Sequence, residues 1–320
     1  MWSPCGVSLG SCRVAMLIFL GIYLLSGLQQ LILAKYGSGD YPHIPWKYSI
    51  LSLFGGVYFD NLHNYGSSFN VFMVVSCICI LFIEDCALET GFIFGQYSFT
   101  DHFGYRITPR LPLLVIVLWQ SLLFPAFSLS YFIINNFMQP KGGYGKQLVL
   151  QILQIILASL LITGFDIISE PIAVLYGHQL WHHAAYISNK CDSYTPQPDW
   201  VFSTFIDKME DVIPSTHQQW NYYYYYGIPL QNFFGWFLTS MYIYILFTSF
   251  IFYFKLRHAA YDACSHISYL VPIVCTILFY ILHPCHPLLV KRNGCIYLLG
   301  ILLLLVSSMY YKQCNNVKSD

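Results

Sequence analysis

The sequence predicts an all-α fold, a polytopic membrane helix bundle of about seven transmembrane helices. Three observations point there. Hydrophobic residues make up 57% of the 320 positions and charged residues only 9%, far below the roughly 25% of a soluble domain. Apolar runs close to the ~20 residues that cross a bilayer recur from one end of the chain to the other. The remaining polar residues gather at the ends of those runs. With no internal repeat and no low-complexity linker, residues 1–320 read as a single transmembrane domain.

In chain order the apolar runs are Val14 to Ala34, Phe69 to Ile83, Leu113 to Ile134, Leu148 to Phe165, Leu230 to Phe254, Ser268 to Leu282 and Cys295 to Tyr311. The first follows Arg13, is long, and lacks a small-residue cleavage site, so it reads as a retained helix and not as a signal peptide. Tyr48 to Phe59 is a further apolar stretch of half length. Residues 177–226 hold most of the soluble-looking sequence and form an extramembrane insertion between the fourth and fifth runs; its Asn221 to Tyr226 stretch, NYYYYY, is too short to count as an element. Alternating seven helices across a bilayer places most of the acids on one face, whereas lysines and arginines do not sort, so the positive-inside rule gives no orientation. The compartment stays open, an endomembrane among the options.

Two polar constellations stand out against hydrocarbon, where ionisable groups are expensive unless they are used. Glu84 to Arg110 packs Glu84, Asp85, Glu89 and Asp101 with Arg106, Arg110 and a run of aromatics between two membrane helices. Asp166 and Glu170 lie at i and i+4 near the end of the fourth run, on one helix face, and Pro171 marks the expected stop or kink. Two carboxyl groups sharing a low-dielectric site repel, which separates a protonated acid from an ionised base. The plainer alternative ties each acid to an arginine or to backbone at the membrane edge. A third motif, Gly227 to Trp236, puts Asn232 and Trp236 at i and i+4, with Gly235 allowing close backbone approach.

Glu84, then Thr90-Gly-Phe-Ile-Phe-Gly-Gln-Tyr97-Ser-Phe-Thr100, Pro109-Arg-Leu-Pro-Leu, Asp166-x-x-x-Glu170-Pro171 and Gly227-Ile-Pro-Leu-Gln-Asn232-Phe-Phe-Gly-Trp236 occur in that order. This series resembles the carotenoid biosynthesis integral membrane family over roughly Phe69 to Phe254. The resemblance implies a membrane hydro-lyase that adds water across a terminal double bond of a long linear isoprenoid such as lycopene or bisanhydrobacterioruberin. It implies Asp166, Glu170 and Glu84 as catalytic carboxyls. A substrate-binding surface would draw on Phe92, Phe94, Tyr97, Asp101, Arg106, Trp119, Asn232 and Trp236, with the aromatic faces steadying a tertiary carbocation. No redox cofactor and no metal is needed for such chemistry. The chain departs from the family pattern at Glu89, where a base is common, at Glu170, where a second Asp is common, at Ile93, where Pro is common, and in the length of the 177–226 segment.

Rival readings remain. The same acids could line a transport path, or the cavity could bind an isoprenoid lipid without changing it; no pseudo-symmetry of the transporter kind is visible. His178-Gln-Leu-Trp-His182-His183 resembles one box of a metal-dependent membrane hydroxylase or desaturase, but the other cluster, His283-Pro-Cys-His286, has the wrong spacing. The plainer reading of the first box is a solvated or lid-packing helix face. The eleven cysteines form no paired motif and read as small buried residues, Cys191 being the one to test for a bridge. A formal net charge of zero offers no surface for nucleic acid. The partners expected are the bilayer and a long-chain isoprenoid, with the oligomeric state open.

Overall fold

The computed structural model describes residues 14–23, 25, 45–65, 67–95, 97–99, 103–138, 143–175, 181–183, 207–208, 223–225, 228–254, 274 and 288–317. The expected helix Ser268 to Leu282 apart from Val274, most of the 177–226 segment, Asp101, Cys191 and His283 to His286 lie outside those residues. Among the described residues the helices are α1 (Val14–Tyr23), α2 (Pro45–Tyr65), α3 (Ser67–Thr90), α4 (Leu113–Phe137), α5 (Tyr144–Leu175), α6 (Leu230–Phe254) and α7 (Leu288–Val317). Short strands are β1 (Tyr97–Phe99), β2 (Trp181–His183), β3 (Asp207–Lys208), β4 (Tyr223–Tyr225) and β5 (Ile228–Pro229).

The all-α membrane bundle is borne out. Four helices are long and apolar enough to cross a membrane: Phe69–Thr90, Leu113–Phe137, Gly145–Glu170 and Leu230–Ile251. The half-length stretch at Tyr48 to Phe59 turns out to belong to a helix of 21 residues, α2. Pro171 does not end α5, which continues to Leu175. A proline inside a helix frees the carbonyl four residues back without stopping the chain where neighbouring helices hold it. Nor is the tyrosine run featureless: Tyr223–Tyr225 is the middle strand of an antiparallel sheet ordered β3-β4-β5, because aromatic side chains suit a pleated surface.

α4 is the central helix: 83% of its apolar window is buried, against 28% for α3 and 44% for α5 and for α6. Membrane helices gain little from hydrophobicity against lipid, so packing and polar bridges between them must hold the bundle. Around α4 the rings of Phe69, Phe72, Phe124, Phe127, Tyr244 and Phe247 interlock, with Phe72 edge-on to both Phe124 and Phe247 at centroid distances of 4.8 Å. Each such pair contributes about 0.5–1.5 kcal/mol beyond burial. The Tyr244 hydroxyl donates to the Leu123 carbonyl at 2.7 Å, which ties α6 to α4. Gln120 donates to Ser76 Oγ at 2.8 Å and ties α4 to α3. The α1–α2 pair packs through a smaller cluster of Met16, Leu20, Leu53 and Val57.

Candidate active site

The inward stripe of α3 reads Phe69, Phe72, Ser76, Ile80, Glu84 and Ala87, all buried at three- and four-residue spacing. Glu84 is therefore the last polar member of an otherwise core-facing row. α5 runs to the same end of the bundle and brings Asp166 and Glu170. α4 and α6 start there, with Trp119 on α4 and Asn232 and Trp236 on α6. Glu84 is 4% exposed and Asp166 and Glu170 are 2% each, so all three carboxyl groups sit inside the protein.

Their partners are specific. Glu84 accepts from the Trp119 indole N–H at 2.6 Å on one oxygen and from the Tyr97 hydroxyl on the other. A carboxylate has about four acceptor positions, so room remains for a water. Asp166 accepts from Asn232 Nδ2 at 3.1 Å and shares a side-chain hydrogen bond with Glu170. An ionised carboxylate only accepts, so a bond between two carboxyl groups requires a proton held between them. Glu84 is close enough to Glu170 and Asp166 for their charges to interact. The Tyr97 hydroxyl is enclosed at this end although the residue as a whole is half-buried. Burial first, and the neighbouring Glu84 charge next, hold its phenol well above the ordinary tyrosine value. It stays a donor through the neutral range, and any stability that depends on it is lost only as pH rises past about 10.

A small cavity of about 30 Å³, open at its mouth, is lined by Glu84, Glu170, Asn232 and an aromatic wall that includes Phe94, Tyr97, Trp119 and Trp236. The Trp119 and Trp236 rings stack at 3.7 Å with 16° between planes. No arginine, lysine or histidine is among the lining residues. Asp166 is behind Glu170 and is not part of the lining. Phe99, Phe103, Val115 and Leu118 complete it, and the sequence reading did not single them out.

The turn after α3 explains which aromatics enter. Gly91 closes the helix at φ 72°, its N–H bonded to the Ala87 carbonyl at 2.7 Å, the left-handed ending that glycine allows. Ile93 is also held at φ 72°, unusual for a β-branched residue and outside the range of a proline. That turn sends Phe94 inward at 2% exposure and leaves Phe92 at 67%, so Phe92 lies outside the cavity that Phe94 lines. Gly235 is what lets the turn dock on α6: a Cβ there would lie 2.7 Å from the Ile93 carbonyl oxygen and 2.5 Å from the Phe94 ring. Gly235→Val should lower the thermal midpoint of the detergent-solubilised chain, by an overpacking cost on the order of 1–3 kcal/mol.

Asp85, Glu89, Arg106 and Arg110 brace the loop. Thr108 donates to Asp85 at 2.6 Å, and Arg110 pairs with Glu89 at 3.2 Å with both side chains largely exposed. The acid at position 89 is thus answered by a neighbouring base away from the cavity. Exposed pairs of this kind contribute about 0.2–1 kcal/mol, so Glu89→Gln should leave activity in membranes essentially unchanged. Arg106 gives its guanidinium to the Phe99 and Arg110 carbonyls at 3.0 Å each and so supports the cavity wall from behind, without lining it.

His182 and His183 fall in β2, which pairs antiparallel with β1 in the register Tyr97↔His183, Ser98↔His182 and Phe99↔Trp181. The helix face expected for them is therefore corrected to a strand. Among the described residues no group of three or more metal-ligating side chains comes together.

A bundle that buries three carboxyl groups beside stacked indoles defines a class: integral membrane proteins with an acidic, aromatic-lined pocket at one end of the helices. The family model described as carotenoid biosynthesis protein matches residues 48–188 and 201–306, and the chain belongs to that family. The two matched stretches are separated by residues 189–200, inside the 177–226 segment. No curated protein and no solved structure matches the chain.

Proposed function

We propose that the chain is a hydro-lyase that adds water to the terminal double bond of a long, linear, carotenoid-like isoprenoid. The observation that carries this reading is the meeting of Glu84 and Glu170 in one cavity walled by Trp119 and Trp236, with Asp166 hydrogen-bonded to Glu170 and Asn232. Acids and aromatic faces without a base around them favour a positive charge and disfavour a phosphate, which needs cations or donors to replace its water. A neutral polyene that becomes a carbocation fits; a prenyl diphosphate does not.

In the proposed reaction Glu170 transfers the proton it shares with Asp166 to the less substituted carbon of the terminal alkene. The π electrons form the new C–H bond and the tertiary carbon becomes cationic beside the indoles. A water hydrogen-bonded to Glu84 donates its oxygen lone pair to that carbon as Glu84 takes its proton. Passing this proton back to the Asp166–Glu170 pair restores the starting state, so one water is consumed and nothing else. A positioned acid or base typically contributes a factor of 10²–10⁴.

Expression in a host that accumulates a linear carotenoid tests the proposal. The expected product is heavier by one water and carries a tertiary alcohol. Polyene recovered unchanged from the purified chain would replace hydration with binding alone.

A further inference from the structure

We infer that the segment joining α5 to α6 positions Glu84 from outside the bundle: β2 holds β1 in place, and β1 carries Tyr97 onto the Glu84 carboxyl group and Phe99 into the cavity wall. Side chains two apart on a strand share a face. Tyr97 and Phe99 both line the cavity, while Ser98 between them is exposed. β1 has three residues, and β2 is its sole strand partner among the described residues. An isolated two-stranded pair is marginal in water, so β1 depends on whatever else grips it. The second grip is Arg106 on the Phe99 carbonyl.

The far end of the same segment reaches the site from the other side. β4 pairs with β5, and β5 runs directly into α6, three residues before Asn232. Pro229 of β5 abuts the turn before β1, since a Cβ on Gly95 would meet its ring at 3.3 Å. The joining segment therefore pairs with β1, which carries two cavity residues, and leads through β5 into α6, which carries two more. Tyr97 is a positioning residue under this inference. It faces Glu84 of α3 and, more remotely, Glu170 of α5, and its hydroxyl fixes one Glu84 oxygen while Trp119 fixes the other.

The test is a double-mutant cycle on the full chain. Trp181→Pro with His182→Pro removes the strand's N–H donors at both alternations of the ladder, and Tyr97→Phe removes the hydroxyl. Only the turnover arm rests on the hydratase reading. There the proline pair and Tyr97→Phe should each lower turnover by on the order of ten- to a hundred-fold and shift the pH profile alike. Combining them should cost no more than either alone, because each removes the same contact.

The second arm needs no activity. The tyrosinate absorbance of the chain minus that of its Tyr97→Phe variant isolates Tyr97. This signal should be absent near pH 10 with the strand intact and appear there when the strand is broken. Replacing residues 181–183 by glycine keeps the N–H groups and weakens the pairing, so it should move both readouts the same way by less. A proline pair that leaves the Tyr97 titration unchanged overturns the inference, as does a loss that adds fully to that of Tyr97→Phe. If no form of the chain makes product, the hydratase proposal falls and the titration still decides this one.

Discussion

Glu170→Gln should abolish hydration, with turnover falling by about 10²–10⁴ while the chain still inserts and folds. The glutamine amide fills the same volume and can donate to Asp166, so the buried pair keeps a hydrogen bond. What disappears is the only acidic proton on the cavity side of that pair, because Glu170 lines the cavity and Asp166 does not. Asp166→Asn should cost less, since Glu170 remains to carry the proton. Turnover on a linear carotenoid, normalised to chain abundance in the membrane, distinguishes the two. An Asp166 variant more damaged than the Glu170 variant would reverse their roles.

Glu84→Gln should lower turnover by a similar factor and also change the product. The Trp119 indole can only donate and so requires the glutamine oxygen, whereas the Tyr97 hydroxyl can rotate to accept from the amide nitrogen. The geometry has a way to survive and the base does not. A cation formed beside an amide has no base next to its water, so it should return a proton from carbon to the ionised Asp166–Glu170 pair and leave as an isomeric alkene. Chromatography of the products should show the tertiary alcohol replaced by isomers of unchanged mass. Alcohol formed at the original rate would remove Glu84 from the role of base.

The local sequence carried much of this site. Glu84 was legible from the charged stretch and the family motif; the structure shows that it continues the buried stripe Phe69, Phe72, Ser76, Ile80, while Glu89 falls off that row and ends on the surface with Arg110. Asp166 with Glu170, and Asn232 with Trp236, were legible from four-residue spacing alone, and the Asn232 to Asp166 bond joins the two sets. Phe92 could not be told from Phe94, because the choice depends on backbone reversal at Gly91 and Ile93, which no period reveals. Phe99 and Phe103 escaped notice because they come from loop and strand, where helical spacing says nothing. The pairing of β1 with β2 joins residues far apart in sequence, and the histidines in β2 suggested a helix only because their spacing also fits one. Counting apolar runs found the helices α3 to α6 and met α1 and α7, but missed the length of α2, whose ends are polar.

The decisive measurement is the mass of the carotenoid produced when the purified chain is supplied with a linear polyene in oxygen-labelled water. The native chain should form a product that has gained one labelled hydroxyl on its terminal tertiary carbon, and Glu170→Gln should not. A product free of label, or polyene bound and released unaltered, would contradict the proposed hydration.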